Sequence, residues 1–352
     1  MRNRLLPFLL CTLLLAAFLA RAGDDRQWKE CLDAGEKAHR ERNYADAERL
    51  MTAALKHAEK FGELDARVAV CANGLGALYL AQGKYEEAQK GFLRAIKIYE
   101  KEFGQGHPYV ASCLNNLGKT LAQQGDYERA EKLYRRALTI VEALFGEKHP
   151  GAVPILTNLA VLYRTQKKND EAEKCYKQAL EISEKGYPEG HPGVRISLTG
   201  LAGFYAATGK YADAEPLYRR ALALDEKQQG AGRAADAPPV SDQGPVLEDL
   251  RDLGECLAAQ KKWPEALALF QRLLAACEKQ SGPEDPRLVP VLERYAALLR
   301  EAGQTVGRVG NPPYDDPAKL EARAKALKEK APPEKPAPAP KPAEKADAKA
   351  SP

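Results

Sequence analysis

An all-α solenoid is the fold class that this 352-residue sequence predicts, on three observations. First, the stretch Leu114–Pro150 (LNNLGKTLAQQGDYERAEKLYRRALTIVEALFGEKHP) aligns with itself when shifted by 42 residues in either direction. Tyr127 falls on Tyr85, Asn169 and Tyr211; Ala130 on Ala88, Ala172 and Ala214; Tyr134 on Phe92, Tyr176 and Tyr218; Ala137 on Ala95, Ala179 and Ala221. Second, each period holds two runs with apolar residues at helical spacing, such as Leu114, Leu117 and Leu121. Third, no stretch shows a strand-like alternation that competes with them. A fixed period of this length marks stacked units, each a single supersecondary element.

The chain begins with Arg2 and Arg4, then an apolar run from Leu5 to Ala20 closed by Ala20-Arg21-Ala22. A basic segment, an apolar segment and an A-x-A site predict a secretory signal peptide over residues 1–22, and hence export to a periplasmic or extracellular compartment. The 16-residue apolar run is shorter than the ~20 residues a membrane span needs and contains Pro7. No stable span is expected after cleavage, and the apolar segment is not expected to be a structural helix.

The repeating units follow at about 25–62, 66–104, 108–146, 150–188 and 192–228. In the third, Pro108–Gln123 and Tyr127–Leu144 are the two helices, parted by Gln124-Gly125-Asp126. Gly118 is small where the helices must approach closely, and Ala130, Tyr134 and Ala137 alternate small, large, small to interdigitate with it. Gly146 is the expected left-handed terminator of the second helix. The fourth unit has Lys167 and Asn169 where Gly and Tyr recur elsewhere. After the fifth the register slips by ten residues, placing an inserted loop at 230–245, rich in Gly, Pro and Asp. A sixth unit occupies about 246–280, and 287–330 forms a partial seventh whose Lys- and Glu-rich last helix suits a polar cap. From Ala331 to Pro352 the tail APPEKPAPAPKPAEKADAKASP lacks aromatic and β-branched residues and is expected to be disordered.

Small residues at Gly118 and Ala130, the aromatic at Tyr134 and Ala137 keep the spacing of the tetratricopeptide repeat, which the chain resembles over roughly residues 25–300. With its 42-residue period and the LNNLG, QGDYERAEKLYRRAL and FGEKHP segments, it is similar to the kinesin-light-chain type of that repeat. The resemblance implies a right-handed superhelical solenoid of helix-turn-helix repeats whose concave groove, lined mainly by first helices, binds peptides or protein segments.

Lys+Arg number 53 against 49 Asp+Glu, and Arg2, Arg4 and Arg21 lie in the leader. This balance gives no reason to propose nucleic acid as a partner. Six cysteines follow the leader: Cys31, Cys71, Cys113, Cys175, Cys256 and Cys277. They lack the close spacings of a zinc site or disulfide scaffold, and small buried thiols are expected. The His-Pro pairs at His107, His149 and His191 invite a metal or acid–base reading. Each, however, lies 11 residues before the small residue of its first helix, where Asp65 and Asp285 stand in other units. That register predicts N-caps followed by Pro at the first helical turn. No nucleophile elbow, P-loop, HExxH or dinucleotide fingerprint is present. No catalytic residue, metal ligand or cofactor is therefore predicted.

The resemblance implies groove-facing positions six and three residues before the small residue, and one, four and five after it. Three before stand Asn73, Asn115, Thr157 and Thr199; Lys119, Gln123 and Arg164 occupy later positions, and Asn116 and Asn158 repeat the second Asn of LNNLG. Gly74 and Gly200 replace that Asn in the flanking repeats. One amide or hydroxyl per repeat could hydrogen-bond an extended peptide, and Lys119 and Arg164 suit an acidic or C-terminal carboxylate on the ligand. Equally, Asn115 could tie neighbouring helices together. The function predicted is an exported, non-enzymatic scaffold binding a peptide or protein segment. The competing class is an assembly protein that self-associates through its ends or faces; the oligomeric state is left open.

Overall fold

The computed structural model describes the backbone of residues 5–188, 190–231, 244–306 and 316–330, with side chains from Gly23 onward except at 228–231 and 305–306. Among these residues there is no strand. Two compact units divide the chain, Met1–Arg233 and Ala234–Pro352.

The first unit stacks five helix pairs: α1 (Leu5–Arg40) with α2 (Tyr44–Glu59), α3 (Ala66–Ala81) with α4 (Tyr85–Phe103), α5 (Pro108–Gln123) with α6 (Tyr127–Phe145), α7 (Val153–Thr165) with α8 (Asn169–Gly186), and α9 (Pro192–Ala207) with α10 (Tyr211–Ala231). A 3-10 turn, Pro150–Ala152, leads into α7. In the uncleaved chain the apolar leader is helical and continuous with α1, as its Leu- and Ala-rich sequence favours. The second unit holds α11 (Gly244–Ala259) with α12 (Trp263–Ser281), and α13 (Val289–Val306) with α14 (Pro317–Lys330). The expected loop at 230–245 is helical at both ends; its residues 232–243 and the tail 331–352 lie outside the described residues.

Packing inside each pair follows the small–large–small pattern. Ala130, Tyr134 and Ala137 are buried, and a Cβ on Gly118 would stand 2.8 Å from the Tyr134 ring. A close backbone approach joins α3 and α4, where a Cβ on Gly91 would meet the Ala72 carbonyl oxygen at 2.7 Å and the Gly76 Cα at 3.1 Å. Gly76 and Gly91 thus let two backbones touch.

In the six described turns that join the helices of a pair, one residue has a positive φ. Gly83, Gly125 and Gly209 supply it in three of them, whereas Arg42, Lys167 and Lys261 adopt φ of 59–61° in the other three. Gly146 differs from expectation. Its φ is 90° but its ψ is 161°, outside the left-handed helical well and in a region open essentially to glycine alone. Gly104 and Gly282 match it, so glycine is required there to turn the chain sharply away from the helix rather than to close it with a left-handed cap.

The polar α14 buries Leu320, Ala324 and Leu327 while the rest of its surface stays polar. All six described cysteines are free thiols: Cys71, Cys113 and Cys256 are buried, and Cys31, Cys175 and Cys277 are half-buried. Burial pushes the Cys71 thiol up to about 11 and Cys113 to about 12. No described helix is long and apolar enough to cross a membrane.

Candidate functional site

Consecutive first helices of the first unit touch one another, α1 with α3, α3 with α5, α5 with α7 and α7 with α9. Among the described residues no comparable contact joins consecutive second helices. The stack therefore closes toward its first helices, which form the inner, concave face. On α5 the residues facing the core are Leu114, Leu117, Gly118 and Leu121, all buried. Asn115, Asn116 and Ala122 are half-buried, and Ser112, Lys119 and Gln123 are exposed. The same alternation recurs on α3, α7 and α9, where the positions implied by the repeat register form a half-buried to exposed row beside the buried stripe of each helix.

Within that row, the polar residues separate into two kinds. The asparagines tie repeats together. Asn116 donates its Nδ2 to Asn73 Oδ1 at 3.4 Å, and Asn158 donates to Asn115 Oδ1 at 2.9 Å. Cys113 also donates to Asn73 Oδ1, at 3.4 Å. Thr157 and Thr199 turn their hydroxyls onto their own helices, Thr157 to the Val153 carbonyl and Thr199 to those of Arg195 and Ile196. Their donors are satisfied locally. Lys119, Gln123 and Arg164 are exposed, and their side chains make no hydrogen bond or ion pair among the described residues.

Sequence reasoning reached the position of Val161 but, searching for polar groups, counted no apolar member of the row as a candidate. Val161 is 40% exposed and Ile196 49%. Both stand at groove positions of the repeat register, one residue after Ala160 and six before Ala202. The signal was present in the spacing: large apolar residues at positions where a solvated helix face would carry polar ones.

The histidines lie at the helix starts. His107 Nδ1 accepts the Tyr109 amide at 3.3 Å, His149 that of Gly151 at 3.1 Å, and His191 that of Gly193 at 3.0 Å. Asp65 and Asp285 accept from Arg67 and Arg287 in the same way. Each imidazole also stacks on the aromatic ring four residues earlier, His107 on Phe103, His149 on Phe145 and His191 on Tyr187, with centroids 4.1–4.7 Å apart. They are caps. No group of three or more possible metal ligands occurs among the described residues.

Comparison with known proteins agrees with this architecture. The tetratricopeptide repeat profile matches residues 32–101, 69–143, 109–185, 152–227 and 248–305, and the chain belongs to the tetratricopeptide repeat family. Proteins of this family are generally non-enzymatic and bind protein partners. Among solved structures, the kinesin-light-chain repeats of Podosopora anserina are similar at 21% identity and a TM-score of 0.52, over 64% of this chain and 97% of that one. Aspartyl phosphate phosphatase F from Bacillus subtilis is similar at 15% identity and a TM-score of 0.58, over 90% and 74%. Apo RapI is similar at 15% identity and a TM-score of 0.52, over 86% and 99%. No curated protein sequence matches the chain.

Proposed function

We propose that the protein is an exported, non-enzymatic scaffold that holds an extended segment of a protein partner in the inner row of its first unit. The observation that carries this reading is the pairing, on α5, α7 and α9, of exposed uncommitted polar groups (Lys119, Gln123, Arg164) with exposed apolar ones (Val161, Ile196). The cations suit an acidic side chain or terminal carboxylate on the ligand, through charge-assisted hydrogen bonds. The apolar pair suits an aliphatic side chain beside it. The asparagines take the supporting role of holding the first helices in register. The secretory reading rests on Arg2, Arg4, the apolar run and Ala20-Arg21-Ala22.

Affinity capture from the exported fraction tests the groove. Lys119→Ala with Arg164→Ala is expected to lower partner recovery strongly at unchanged helicity and melting temperature. Unchanged recovery would sink the groove reading. Sequencing the N-terminus of the mature protein tests export: a chain starting at Gly23 is expected, and one still starting at Met1 refutes it.

A further inference from the structure

The outer face of the first unit carries a second periodic series. Because consecutive second helices do not pack on one another, ion pairs bridge the gaps between them. Glu59 of α2 meets Arg94 of α4 at 2.8 Å; Glu100 of α4 pairs with Arg136 of α6, and Glu184 of α8 with Arg220 of α10. Arg94, Arg136 and Arg220 share one place in the 42-residue register. At the step from α6 to α8 that register sets Glu142 against residue 178, which is Gln. Here the series breaks: the half-buried Glu142 side chain makes no hydrogen bond or ion pair among the described residues. Burial and the nearby Glu147 carboxylate push its carboxyl above the usual range. What bridges this step is Lys148 with Glu181, an exposed pair at 3.7 Å.

A surface cavity of about 750 Å³ opens beside Glu142 at this same step; Glu142 itself is not in its lining, which includes its neighbour Glu147 with Lys148, Asp170, Lys174, Gln178 and Glu181. Of its four acidic groups, Glu173 and Glu181 are paired with lysines, whereas Glu147 and Asp170 make no hydrogen bond or ion pair among the described residues, and Lys174 is the one lining cation equally uncommitted. Counting Glu142, the uncommitted charge at the step is acidic, which favours a cation as occupant.

We propose that this step binds an arginine side chain of a partner polypeptide, its guanidinium taking against Glu142 the place that Arg136 and Arg220 hold against Glu100 and Glu184. The neighbouring filled steps all use arginine rather than lysine, and the planar fork of donors suits a carboxylate reached across a gap between two helices. The site lies on the outer face and is independent of the inner row.

The full chain is titrated with a capped Gly-Arg-Gly peptide, the same peptide carrying citrulline, and free arginine, following the side-chain amide resonance of Gln178. Saturable movement with the arginine peptide is expected, and weakening by at least about tenfold with citrulline, the size of a lost charge-assisted hydrogen bond. Glu142→Gln is expected to weaken binding by a similar factor. Gln178→Arg supplies the missing cation from within, and should abolish peptide binding, read by calorimetry, while raising the melting temperature. Equal binding of the arginine and citrulline peptides, or full binding by Gln178→Arg or Glu142→Gln, would overturn the proposal. Free arginine binding as tightly as the peptide would overturn the assignment to a polypeptide. The Lys119→Ala, Arg164→Ala variant should titrate like the wild type, so failure of the inner-row reading leaves this result intact.

Discussion

His149 shows how a residue that invites a catalytic reading can be spent on structure. Its Nδ1 accepts the Gly151 amide at 3.1 Å and its ring lies on Phe145, so one side chain satisfies a free helix N–H and pins the preceding turn. His149→Ala is expected to cost about 1 kcal/mol in chemical denaturation, and His149→Asp, a strong cap, to recover most of it. A destabilisation by Asp as large as that by Ala would show that stacking, not capping, dominates. The capping role was legible because Asp65 and Asp285 share the register. The stacking was not, since it depends on how tightly the Phe145–His149 turn folds. Asn115 is the opposite case. Its dual reading could not be resolved from type and spacing; the bond to Asn158 at 2.9 Å gives it a structural task. Asn115→Ala is expected to cost about 1 kcal/mol, the net worth of a typical hydrogen bond, with helicity retained by circular dichroism.

At the scale of the helix pair, packing was the most legible property, because alternating small and large residues in one register have one simple solution. The α3–α4 pair takes it furthest. With backbone atoms 2.7–3.2 Å from a Cβ at residue 91, Gly91→Ala must force the two helices apart. Overpacking of this kind costs roughly 1–3 kcal/mol, against which alanine returns up to about 1 kcal/mol of helix propensity. A net fall in melting temperature is expected; a rise would mean that the two backbones can separate at little cost. The conformation of Gly146 was less legible. Sequence indicates that glycine is needed after a helix but does not distinguish a left-handed cap from a sharp extended exit, since glycine alone serves both.

Across the whole chain, the repeat period made the buried positions legible, whereas the polar connections between repeats were not. They run at spacings of 43 residues for Asn115–Asn158 and 36 for Glu100–Arg136, set by the stagger of one helix pair on the next rather than by the period itself. One such connection carries a pH dependence. Glu173 accepts from Lys177, Lys210 and Tyr205, and the two lysines hold its carboxyl at about 2, below the usual 4.5. A carboxylate with a lowered folded-state pKa stabilises fully above its unfolded value, and that contribution fades as the pH falls from about 4.5 toward 2. Melting temperatures of the wild type and Glu173→Gln should therefore differ near neutrality and converge in that acid window. A constant gap would remove Glu173 from the acid response.

Lys167 holds a φ of 61° where Gly125 and Gly209 sit at ease in the equivalent turns. A side chain in that well costs about 1–2 kcal/mol, and Arg42 and Lys261 bear the same cost. In a stack whose members touch only their neighbours, such turns are the places where opening begins. Amide exchange should accordingly be faster around residues 42, 167 and 261 than around Gly83, Gly125 and Gly209, and Lys167→Gly should slow it locally, turning a point of fraying into one of the quieter joints of the array.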